Sequence, residues 1–173
     1  MDAFFEVLKY TLPALIVMGT AYLLIRTFID DERQKRRIEF RTNNQKTITP
    51  IRLQAYERIV LFLERISPDS LIIRLQSSDL TSQKLQSDML SLIRAEFEHN
   101  MSQQIYISSQ AWEVTKNAKE NIIKIINTAA DKIQPEATSI ELSKKILESL
   151  VTFEKLPNHS AIDFIKNEVT QFF

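Results

Sequence analysis

The chain has 173 residues, 22 basic and 22 acidic side chains, one glycine and no cysteine. The missing cysteine excludes disulfides and thiol catalysis, and the single glycine excludes the glycine-rich phosphate loops of P-loop and dinucleotide-binding proteins. A balanced charge gives no electrostatic footprint for nucleic acid, and so little glycine disfavours hairpins and favours helices joined by short connections.

Residues 1–9 form a short N-terminal segment carrying Asp2, Glu6 and Lys9, which is not the basic start of a cleaved signal. From Tyr10 through Leu15 and Leu24 to Ile29 the chain is apolar, with Arg26 as the one charge. Roughly 20 such residues match the thickness of a bilayer, which predicts one retained transmembrane helix over 10–29. Pro13 falls in its first turns, and Ala14, Gly19, Thr20 and Ala21 form a small-residue patch where a second helix could approach. Basic residues cluster after this stretch: Arg26, Arg33, Lys35, Arg36, Arg37, Arg41 and Lys46. The positive-inside rule then puts the N-terminus outside and the C-terminal domain in the cytoplasm, as a single-pass protein of the cell inner membrane. The lipid bilayer is the expected partner of residues 10–29.

Residues 30–48 read as a polar juxtamembrane helix and linker. Glu32 and Arg36 form a favourable i,i+4 pair, and Thr42-Asn43-Asn44 is the expected stop. A soluble helical domain is expected over 49–173. Thr49-Pro50 and Ser67-Pro68 both pair a hydroxyl N-cap with proline at the first helical position. They predict one helix over 51–66 and a short one over 68–76, although Leu71-Ile72-Ile73 also suits a strand. Thr81 or Ser82 caps a third helix, running to His99 with Leu85, Met89, Leu92, Ile93 and Phe97 inward. Residues 101–107 are open between helical turn, loop and strand. Ser108 or Ser109 starts the longest helix, to Gln134, with Trp112, Lys116, Ile122, Ile126 and Ala129 on its stripe. Thr138 and Glu141 form a capping box for a helix to Lys155, burying Ile140, Ile146, Leu147, Leu150, Val151 and Phe153. A last amphipathic helix over 160–173 turns Ile162, Ile165, Val169 and Phe172 inward. The fold class is therefore all-α: an N-terminal transmembrane helix followed by a small antiparallel helical bundle.

Catalytic signatures are sparse. Glu96 and His99 share one helix face in a Glu-x-x-His spacing, half of what a carboxylate-bridged metal bundle needs. His159, the other histidine, has no glutamate three residues before it, so Glu96 and His99 read as solvent-facing residues and neither metal nor cofactor is expected. The stretch around them mixes Glu96, His99, Asn100 and Gln104 with Tyr106 and Trp112. Amides and aromatics together build either a hydrogen-bonded helix corner or a partner surface. The corner is the favoured reading.

The segments ITPIRLQAYERIVLFLERISP at Ile48–Pro68 and IRAEFEHNMSQQIYISSQAWE at Ile93–Glu113 resemble an uncharacterised family of small single-pass membrane proteins of Bacteroidota. The resemblance covers most of the chain. It implies a membrane-anchored helical protein and carries no activity, ligand or catalytic residue. The expected function is a non-enzymatic, membrane-anchored interaction or scaffold module facing the cytoplasm, with an unknown protein partner or a homo-oligomer and no nucleic acid. The alternatives are a metal-binding or enzymatic bundle centred on Glu96 and His99, and a lipid-surface element through Arg33 to Lys46.

Overall fold

A computed structural model describes the backbone of residues 2–172, and the side chains of Lys9, of residues 15–36, of Glu39 and of residues 45–171. The described residues form six α-helices: α1 (Asp2–Arg65), α2 (Pro68–Leu75), α3 (Ser82–Asn100), α4 (Ser109–Ala130), α5 (Ser139–Leu150) and α6 (Pro157–Phe172). A 3-10 turn at Met101–Ile105 joins α3 to α4. There is no strand among them, only an isolated antiparallel bridge between Thr81 and Thr138. No described residue has a positive φ, so every connection is built without the conformation that glycine supplies. The chain divides into two compact units, residues 1–49 and 50–173.

The first unit corrects the sequence reading. Among the described residues, no helix is long and apolar enough to cross a membrane. The transmembrane helix expected over 10–29 is not borne out among them. The reason lies in the charges: from Leu15 the uncharged run ends at Arg26, and Asp30, Asp31 and Glu32 follow Ile29 directly. A crossing helix needs roughly 20 predominantly apolar residues. Tyr10, Pro13 and Ala14 lie outside the described side chains. Leu15, Leu24 and Ile29 all lie on the exposed surface of α1. The backbone is helical through Thr42-Asn43-Asn44 and through Thr47–Pro50, where a stop and a linker were expected. The i,i+4 pair forms as the spacing predicts, with Arg36 Nε 3.2 Å from Glu32 Oε1.

In the second unit the core is one cluster to which every helix contributes. Tyr56, Ile59, Phe62 and Leu63 of α1 are buried in it, as are Leu85, Met89 and Ile93 of α3. Helix α4 packs on α3, α5 and α6. Its buried face is Ala111, Thr115, Ala118, Ile122, Ile125, Ile126 and Ala129. The expected Ile122, Ile126 and Ala129 are in it, whereas Trp112 and Lys116 are half-buried, one position beyond Ala111 and Thr115. Small residues let neighbouring helices approach closely, so in the first half of α4 Ala111, Thr115 and Ala118 take the interior and Trp112 flanks it.

Local chemistry starts the helices. Thr81 Oγ1 accepts from the Lys84 N–H at 3.3 Å, Ser108 Oγ from the Ala111 N–H at 2.9 Å, and Thr138 Oγ1 from the Glu141 N–H at 3.3 Å. Ser67 makes no side-chain cap, and α2 starts on Pro68 alone. The starts of α3 and α5 are also bracketed to each other. The Ser82 N–H donates to Ala137 O at 2.7 Å and the Ser139 N–H to Leu80 O at 3.0 Å. The Ser139 hydroxyl donates to Ser77 O at 2.6 Å. Helix α4 ends at Ala130 and α5 at Leu150, each one turn earlier than the sequence reading.

Candidate functional site

Two polar constellations stand in the second unit. The first surrounds Glu96. Its carboxylate lies 3.3 Å from Arg65 and 3.4 Å from Arg74, which ties α3 to the ends of α1 and α2. Both arginines are well exposed, so each pair contributes at most about 1 kcal/mol. Asn100 is buried and donates from Nδ2 to Glu96 O at 2.8 Å, closing the last turn of α3. Phe97, one residue on, stacks on Trp112 at 5.2 Å and meets Phe62 at 5.8 Å. The Lys119 ammonium sits 4.1 Å from the centre of the Phe97 ring. An aromatic pair of this kind is worth about 0.5–1.5 kcal/mol beyond its buried area.

Of the residues singled out in the sequence, the structure brings Glu96, Asn100 and Trp112 into this corner, Trp112 through Phe97. His99 is exposed, lining an open surface depression with Glu96 and Asn100. Gln104 and Tyr106 are exposed at the 3-10 turn, where the Tyr106 carbonyl accepts from Arg52 Nε at 3.0 Å. Two arginines against the Glu96 carboxylate oppose a second cation there. Among the described residues no group of three or more His, Cys, Asp or Glu could hold a metal ion.

The second constellation went unread in the sequence. Glu168 of α6 and Tyr56 of α1 are both buried. The Tyr56 hydroxyl donates to Glu168 Oε1. Ser108 Oγ donates to Glu168 Oε2 at 2.7 Å, and the Ser108 N–H donates to the Tyr56 oxygen at 3.3 Å. Ser108 is thus both the cap of α4 and a ligand of the carboxylate. Burial, and then the Glu168 carboxylate, push the Tyr56 phenol above its ordinary value, while the Ser108 amide and Arg52 pull it down. The phenol therefore stays a donor at neutral pH, not a base or a nucleophile. The arrangement clasps α1, α4 and α6 and satisfies both oxygens of a buried carboxylate. A signal for it existed: Glu168 follows Ala161 and Ile165 at helical spacing, which sets a charged residue on the inward face of α6.

No curated protein and no solved structure matches the chain. A family model matches residues 2–172, nearly end to end, and its description states no activity. The chain is an all-helical protein of unknown function and belongs to the family of unknown function DUF7935.

Proposed function

We propose that the chain is a non-enzymatic protein-interaction module, in which the apolar segment of α1 docks on the apolar faces of partner helices. One observation carries the reading. Leu15, Leu24 and Phe28 are 59, 69 and 71 % exposed, and Ile16, Val17, Met18, Leu23 and Ile25 stand with them at the surface. Consecutive positions turn by about 100° along a helix, so residues 15–25, before Arg26, are uncharged all round. The segment's hydroxyls do not break the surface: Thr20 donates to Val17 O at 2.9 Å and Thr27 to Leu23 O at 3.0 Å. An apolar surface of this extent marks an interaction site. A cytoplasmic setting for the bundle suits a chain without cysteine.

The test is crosslinking of the full chain in its native cells, followed by purification. The reading expects one partner at near-equal amount, lost on Leu24→Glu and Phe28→Glu while the helical circular dichroism signal is unchanged. Equal partner recovery with the charged variants overturns it. So does uptake of the unaltered chain by protein-free vesicles with no partner protein recovered, which would assign the segment to lipid.

A further inference from the structure

Helix α5 is apolar on two faces. Leu142 and Ile146 enter the core. Ile140, Leu147 and, at the C-terminal cap, Val151 face outward and are 53, 45 and 86 % exposed. This second face, which the sequence pattern marks for burial, forms with Ile72 an open groove of about 420 Å³. Ser143 lines the groove, is 4 % exposed, and its hydroxyl has no hydrogen-bond partner among the described residues. Mid-helix serines usually return that proton to a carbonyl one turn back, as Ser149 does to Lys145 O at 2.9 Å. Two charges edge the groove. Glu148 pairs with Lys145 across 2.9 Å in a half-exposed contact, and Lys144 makes no ion pair among the described residues.

We infer that this groove is an interface between two copies of the chain, with α5 packed antiparallel on its twofold mate. Self-complementarity carries the choice of a second copy. A twofold axis passing near position 146 puts Lys144 opposite the partner's Glu148. The same register sets Ile140 within about one residue, or 1.5 Å of rise, of the partner's Val151, and Leu147 within about two residues, or 3 Å, of its own copy. Opposite charges and apolar residues therefore meet in one register, which a twofold interface requires of a single patch. The 12 residues of α5 span only about 18 Å. That is short for the ~800 Å² per partner of a stable complex, so the association is concentration-dependent. The inference is independent of the role proposed for residues 15–29.

The cysteine-free chain makes the test direct. The full-length variant Leu147→Cys is oxidised mildly and compared with Glu120→Cys, an exposed α4 position outside the groove. Leu147→Cys is expected to form a disulfide-linked dimer several-fold faster, with a rate that rises with concentration. Adding Val151→Glu should bring it down to the Glu120→Cys rate. Val151 is too exposed for that change to unfold α5. Adding Lys144→Glu should slow it, and Glu148→Lys on top should restore it. Equal rates for the two cysteines, or no response to Val151→Glu, overturns the inference. So does crosslinking abolished by Phe28→Glu but untouched by Val151→Glu, which would place self-association on residues 15–29.

Discussion

Replacing Tyr56 by phenylalanine removes one oxygen and leaves the ring in the core. That oxygen donates to Glu168 Oε1 and accepts from the Ser108 N–H. A hydrogen bond to a charged group contributes about 1.5–3 kcal/mol net, and a buried polar group left unpaired costs about 1–3 kcal/mol. Glu168 is 9 % exposed, so water replaces the lost donor poorly. Ser108 Oγ still holds the other carboxylate oxygen, which keeps the loss below the sum of these figures. The expected cost is about 2–3 kcal/mol. Urea denaturation of the full chain at neutral pH, followed by circular dichroism, reads it as a lower midpoint at unchanged slope. Glu168→Gln and the double variant complete a cycle, which should return a coupling of at least about 1 kcal/mol. A cost for Tyr56→Phe under about 0.5 kcal/mol, or additive single changes, would refute the clasp as a stabilising element.

Ser108→Ala removes the α4 cap together with a ligand of a buried carboxylate, so its cost should exceed that of Thr138→Ala, which removes a cap and only an exposed contact to Glu141, at about 1 kcal/mol; equal midpoints would count against the double role. Trp112→Ala should cost about 2–3 kcal/mol through the lost burial and the Phe97 stack, whereas Tyr106→Ala should cost under about 0.5 kcal/mol because its ring is exposed; thermal denaturation of the two compares them. The raised Tyr56 value sets a sign for alkaline pH. Stability from keeping the phenol protonated is full below the ordinary tyrosine value of about 10 and falls as pH rises through the folded value. Tyr56→Phe should abolish that part of the alkaline loss, and an unchanged alkaline slope would contradict it.

Helix starts were legible where the chemistry is local. Thr81, Ser108 and Thr138 announce α3, α4 and α5 within a few residues of sequence, and each cap bond forms. Pro50 shows the limit. Proline at a first helical turn and proline inside a longer helix share the same local signal, and here α1 runs through it. Phase was harder. On α5 the larger apolar residues Ile140, Leu147 and Val151 pull the expected stripe outward, while Ser139 and Ser143 take buried places. On α4 the interior goes to Ala111 and Ala118 because of what packs against them, which no property of α4 alone reports. The corner at Glu96, Asn100 and Trp112 was legible as a cluster because its amides and aromatics are close in sequence. Its partners Arg65 and Arg74 were not, and neither was Glu168, whose partners lie 60 and 112 residues away.

The separation between Tyr56 and Glu168 also has a consequence on the ribosome. Synthesis is vectorial, and domains fold as their segments emerge. The C-terminal part of α1 emerges early with Ile59, Phe62 and Leu63 uncovered, and the carboxylate that holds Tyr56 arrives more than a hundred residues later. At roughly 5–20 residues per second the interval lasts several seconds. Over that time the nascent chain presents a sticky surface to whatever chaperones stand at the exit, and α6, made after the other five helices, is the one that closes on it.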